Sequence, residues 1–154
     1  EAIAAGKMAF FIGNMTVPRE YVYLPDAAAM IAEVAGHDEA YGQNWNIPGG
    51  GLISGREIVR IARAASGSSK PVFSLKKIGL SLLGLGVPVM KEIVEMLYLT
   101  EEPLTLSGAK YEKWIGPIIA TPFEEGITAT VKALQQANTA ASVQPSQTAN
   151  SRIV

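Results

Sequence analysis

The spacing of apolar residues switches between a period of two and a period near four along this chain, which predicts strands alternating with helices. Residues 1–6 have the makeup of the last turn of a helix, and the apolar run Met8–Ile12 reads as a short strand after it. Over Glu20–Leu24, Tyr21 and Tyr23 alternate with Val22 and Leu24, the pattern of a half-buried strand. Pro25-Asp26 and an Ala-rich run follow. Asp26 is the expected N-cap of a helix there, alanine is the strongest helix former, and Gly36 is the expected stop. Asn44–Ile47 is a short strand candidate closed by Pro48 and three glycines.

Ser54-Gly55-Arg56-Glu57 has the form of a capping box, with the Ser54 hydroxyl accepting from the backbone three residues on and Glu57 reaching back. Ile58, Ile61, Ala62 and Ala65 share one face of the helix behind it, which ends at Gly67. Pro71–Leu75 reads as a strand, 77–86 as a helix weakened by glycine, and Pro88 opens a further helix over Val89–Tyr98. Glu101-Glu102-Pro103 breaks it, Leu104–Leu106 is extended, and Ser107–Trp114 is a short helix ending at Gly116. Thr121-Pro122-Phe123-Glu124 is a second capping box, whose helix runs to about Gln136 with Ile127, Val131 and Leu134 inward. From Ala137 small and polar residues replace large apolar ones, so 137–154 is expected to be a disordered tail. The class is α/β.

Composition narrows the functions open to such a fold. The chain has 154 residues, enough for one domain with a buried core, and is 48% hydrophobic and 18% charged. A net charge of -1 supplies neither the basic face of a nucleic-acid binder nor a polybasic membrane anchor. The chain contains no cysteine, which removes disulfides, thiolate metal sites and cysteine nucleophiles and agrees with a cytoplasmic setting. His37 is the sole histidine, so a multi-histidine metal site within one chain is ruled out. Met8–Ile12 is too short for a signal-peptide core, and Ile78–Met90, broken by glycines and Pro88, is too short to span a bilayer.

Four segments, in order, carry a resemblance. Arg19-Glu20-Tyr21-Val22-Tyr23-Leu24-Pro25-Asp26-Ala27-Ala28 is similar to an Arg-Asp-aromatic-Ile/Val-aromatic-Val-x-Asp-hydrophobic-Ala run followed by an Ala-rich helix. Gly42-Gln43-Asn44-Trp45-Asn46-Ile47-Pro48-Gly49 resembles a Gly-x-x-aromatic/apolar-Asn-apolar-Gly strand, the last parallel strand of a sheet. Ser54-Gly55-Arg56-Glu57-Ile58-Val59 resembles a Ser/Thr-x-x-Glu-apolar-apolar helix start. The stretch from Leu106-Ser107-Gly108-Ala109-Lys110 through Ile115-Gly116 to Pro122-Phe123-Glu124-Glu125-Gly126-Ile127 is similar to an Asp-x-Ser-Lys…Leu-Gly…Pro…Leu-Glu-Glu-Gly-Ile ending. Together they resemble the C-terminal, substrate-binding half of extended short-chain dehydrogenases/reductases, the NAD-dependent epimerase/dehydratase type, over about residues 13–136. Two positions depart from that pattern. Ser107 stands where an aspartate is usual, and Lys76-Lys77 stand where nucleotide-sugar members often place a second arginine.

The resemblance implies the C-terminal part of a Rossmann-type fold with few strands and several helices. Residues 1–136 would be the substrate-binding portion of an NAD(P)-dependent oxidoreductase, epimerase or dehydratase. Its substrate would be a sugar-like or more hydrophobic carbonyl or hydroxyl compound. The family's glycine-rich cofactor turn is not found near residue 1, and none of the five tyrosines has a lysine four residues later. No catalytic or cofactor-binding residue is therefore assigned. NAD or NADP is expected in the complete protein and no cofactor on this chain alone, which should be inactive by itself. Its expected partners are a small-molecule substrate and either a missing N-terminal half or a second copy, since a partial sheet leaves edges and one face uncovered. The alternative is a stand-alone, non-catalytic binding or interaction module derived from that family.

Candidate substrate residues are Arg19, Tyr21 and Tyr23. By resemblance Arg19 would hold an anionic or polar group of the substrate, for which a planar guanidinium is suited; as a plain strand arginine it would pair with Glu20 or Asp26. Tyr21 and Tyr23 either line the pocket, with Phe73–Leu97 as a further wall, or pack on the core. Other residues have ordinary readings: Gly49-Gly50-Gly51 as a loop rather than a phosphate cradle, His37 as a solvated loop residue, and Lys76-Lys77 as flanks of an apolar helix. Trp45 and Trp114 are expected in the core, and Glu124-Glu125 at a helix N-terminus where negative charge is favourable.

Overall fold

The computed structural model describes residues 1–75 and 104–143. In chain order its elements are β1 (Ala9–Ile12), β2 (Pro18–Glu20), α1 (Leu24–Ala35), a 3-10 turn (Asp38–Ala40), β3 (Leu52–Ser54), α2 (Gly55–Ser66), β4 (Val72–Leu75), α3 (Ala109–Trp114) and α4 (Phe123–Val143). This is a small α/β fold of mixed helices and strands. The helices expected over 77–86 and Val89–Tyr98, the Lys76-Lys77 pair, most of the Phe73–Leu97 wall and residues 144–154 lie outside the described residues.

Two strand pairs form. β1 and β4 run parallel, with Ala9 opposite Val72 and Ile12 opposite Leu75. β2 and β3 run antiparallel, with Arg19 opposite Ile53. A parallel pair needs a long crossover, and here it contains β2, α1, β3 and α2. Residues 1–7 close one turn through Ala5 N–H to Glu1 O and Lys7 N–H to Ala2 O, as a helix end would.

The core is a layer of α2 on α4. Ala62 and Val131 are buried together with Ala4, and Ile3, Ala65, Ile127 and Leu134 pack around them. The predicted apolar faces of both helices are therefore the ones that meet. Ser54 caps α2, its Oγ accepting from Glu57 N–H at 3.2 Å, and Gly67 ends it at φ 69°, a left-handed conformation that suits glycine. The other half of the expected capping box is absent. The Glu57 carboxylate turns to Arg60 at 2.8 Å, and that guanidinium holds it below the usual carboxylate range.

Several expectations fail for identifiable reasons. The strand placed at Glu20–Leu24 forms earlier, at Pro18–Glu20, and helix already begins at Leu24. Pro25 drives this shift, because its fixed φ suits the first helical turn. Asp26 is then inside that turn rather than at the N-cap, which is Tyr23 without a side-chain cap bond. Asn44–Ile47 forms no strand: no backbone ladder reaches it among the described residues, and side chains hold it instead. Lys110 Nζ donates to Asn44 O at 3.0 Å, and Asn46 Nδ2 donates to Ser107 O at 3.2 Å. The second capping box does not form either: α4 begins at Phe123, one residue later than a Thr121 cap requires, and the Thr121 hydroxyl donates to Asp26. α4 continues through Val143, past the Ala137 start expected for a disordered tail, because an Ala-rich polar sequence can still propagate a helix already nucleated.

The tryptophans part company. Trp114 is 62% exposed, contrary to a core role. Trp45 is half-buried, donates Nε1–H to Ala40 O at 3.0 Å, and carries the Lys110 ammonium over its ring at 4.2 Å.

Candidate functional site

A cavity of about 450 Å³ lies between the β2–α1 junction, β3, α2, α4 and the N-terminal turn. Its wall is mostly apolar, including Ile53, Ile58, Phe123, Ile127 and Leu134. Tyr21 and Tyr23 both line it. They do so from an irregular segment rather than from a strand face, because the chain leaves β2 at Glu20 and enters α1 at Leu24. Glycine at position 126 makes room for one of them: a Cβ there would lie 3.2 Å from the Tyr23 ring.

Asp26 is 7% exposed at the cavity wall. Its Oδ2 accepts from Thr121 N–H at 2.7 Å and its Oδ1 from the Thr121 hydroxyl at 2.8 Å. The carboxylate thereby ties the first turn of α1 to the segment that opens α4. Glu20 makes an analogous tie between loops, accepting from Gly49 N–H at 2.9 Å and Leu106 N–H at 2.7 Å. The triple-glycine segment thus gives its first amide to Glu20, and a Cβ on Gly49 would collide with the Tyr21 carbonyl. This is the loop reading of Gly49-Gly50-Gly51 with its physical reason.

Arg19 is not in the cavity wall. Its guanidinium lies over the Phe11 ring, 5.7 Å from the centroid. Its Nε and Nη2 are buried and have no hydrogen-bond partner among the described residues. Neither carboxylate expected to neutralise it does so, because Glu20 and Asp26 are engaged as above. The contrast with two other arginines is direct. Arg60 uses Nε and Nη2 on the Glu57 carboxylate, and Arg63 uses the same two atoms on the Ser68 and Ser69 carbonyls.

Tyr111 and Met30 are the largest fully buried side chains among the described residues, and Tyr111, at 1% exposure, donates its hydroxyl to Glu33 Oε2 at 2.6 Å. Burial first, and the Glu33 carboxylate second, push its phenol up to about 12. A cavity wall built by Ile53 of β3, Ile58 of α2 and Phe123 of α4 was not predicted. The only signal in sequence was their membership of apolar faces, and a face that fills a core has the same period as one that lines a void. His37 sits half-buried at the entry to the 3-10 turn, and Glu124 and Glu125 are exposed in the first turn of α4. Among the described residues no cluster of three or more His, Asp or Glu could hold a metal ion, and no helix is long and apolar enough to cross a membrane.

No family model, no curated protein and no solved structure matches this chain.

Proposed function

We propose that this chain is the substrate-binding portion of an NAD(P)-dependent oxidoreductase, epimerase or dehydratase of the extended short-chain dehydrogenase type. The supporting observation is Arg19. Its Nε and Nη2 form one edge of a planar fork, and both are buried without an acceptor among the described residues. A buried guanidinium left unpaired costs on the order of several kcal/mol, so the site is poised for an acceptor. An oxygen-bearing group of a substrate fits that edge, since a carboxylate, phosphate or paired carbonyl and hydroxyl accepts two parallel N–H bonds. Tyr21 and Tyr23, next along the chain, shape the apolar cavity beside the β2–β3 pair.

In this reading hydride transfer takes place against a cofactor-binding polypeptide that carries the glycine turn and the Tyr-x-x-x-Lys pair, where NAD or NADP is held. The present chain binds and orients the substrate and excludes water. The face of β1 and β4 that the described residues leave exposed suits contact with that companion or with a second copy. The test is coexpression of the chain with the polypeptide encoded upstream of it, followed by turnover assays on hydrophobic ketones, alcohols and sugars with both nicotinamides. Turnover is expected only for the combined protein, and Arg19→Ala should lower kcat/KM by about tenfold or more. Arg19→Lys should recover little, because an ammonium cannot present a fork. An upstream frame without the glycine turn and Tyr-x-x-x-Lys, or turnover by the pure chain, defeats the reading.

A further inference from the structure

We infer that the cavity walled by Tyr21, Tyr23, Ile53, Ile58, Phe123 and Ile127 takes an uncharged, largely apolar small molecule bearing a hydroxyl or carbonyl group. The inference rests on the reading of Tyr21 and Tyr23 as substrate-site residues and narrows the class of the substrate part held in this cavity, outside whose wall Arg19 lies.

Size is the first argument. A volume of about 450 Å³ falls within the range of roughly 300–1,000 Å³ typical of small-molecule sites. Charge is the second. Among the described residues the wall contains no lysine or arginine, and its acidic residues are Asp26 and the exposed Glu1. Each oxygen of Asp26 accepts one hydrogen bond from Thr121. A buried anion would meet no lysine or arginine in this wall and would bear its desolvation cost uncompensated, and a cation would leave water for a lining that is apolar over most of its extent. The wall therefore favours a neutral occupant. The third argument is where polarity remains. The Thr130 hydroxyl is committed to Gly126 O at 2.8 Å. The phenol hydroxyls of Tyr21 and Tyr23 make no hydrogen bond with any described residue, which leaves two groups able both to donate and to accept. One oxygen function on an apolar body matches this wall, whereas a sugar with hydroxyls all round it does not.

The probe is N-phenyl-1-naphthylamine, an uncharged apolar fluorophore, titrated into the full chain without nicotinamide. Saturable enhancement at one probe per chain is expected. Ile127→Trp fills the cavity and should weaken binding by about tenfold or more. Thr130→Trp should act likewise from an exposed position at the wall, where folding tolerates the added bulk. A nucleotide sugar such as UDP-glucose should not displace the probe. Absence of saturable binding, binding unchanged in both folded variants, or displacement by UDP-glucose overturns the inference. So does probe affinity that falls as protein concentration rises, since a second copy would then be the occupant. The measurement needs no hydride transfer, so its failure leaves the oxidoreductase reading standing on its own test, and failure of turnover leaves probe binding intact.

Discussion

The α2–α4 layer and the β1–β4 pair put apolar sequence to different ends. Between the helices, Ala62 and Val131 are buried against each other and their polar faces look outward. On the strands, apolar residues occupy both faces. Phe11 faces inward, where its ring lies against Gly55 so closely that a Cβ there would overlap it, while Phe10 and Phe73 stay 56% and 49% exposed with ring centroids 6.1 Å apart. Met8 and Ile12 add to the same exposed surface. An amphipathic helix needs one covering layer, but a parallel strand apolar on both faces belongs to a sheet covered on both sides. The helical layer is satisfied by this chain, and the strand pair carries an apolar face that its own described residues do not cover.

That contrast gives matched substitutions with opposite outcomes. Val131→Ser should destabilise the chain most, by about 2–4 kcal/mol, since it removes buried methyls and places a hydroxyl in an apolar layer. Chemical denaturation monitored by circular dichroism measures this. Asp26→Ala should cost about 2 kcal/mol, because two donors of Thr121 lose their acceptor at a partly buried position; Asp26→Asn should recover part of that loss. Tyr111→Phe should cost about 1 kcal/mol near neutral pH by deleting the bond to Glu33. It should also remove a pH dependence. The native phenol is raised from about 10 to about 12, so its contribution is complete below about 10 and is lost as pH rises towards 12. The melting temperature of the parent should fall across that window, and that of Tyr111→Phe should fall less. Phe10→Ser should change stability by under about 0.5 kcal/mol, because the side chain is already half in water. Its measurable effect should be weaker self-association in sedimentation velocity. A loss of folding on Phe10→Ser as large as that on Val131→Ser would erase the distinction between the two regions.

Strictly local determinants were legible in sequence. The Ser54 cap, the Gly67 stop, the inward faces of α2 and α4, and strands near 9–12 and 72–75 all follow from short-range rules of backbone geometry and apolar period. Asp26 shows where such rules run out. Its place before an Ala-rich helix is that of a cap, yet a tertiary partner 95 residues away took the carboxylate. Asn44–Ile47 shows the same from the other side, since a strand exists only where a neighbour completes its ladder. The two amide bonds to Glu20, the lack of an acceptor for the Arg19 fork among the described residues and the cavity beside Tyr21 and Tyr23 all depend on which distant segments arrive at one place. Periodicity by itself determined which residues face inward. Only tertiary packing decided which of those inward faces close on each other and which enclose space, because that outcome depends on the summed shapes of several elements and is encoded in none of them singly.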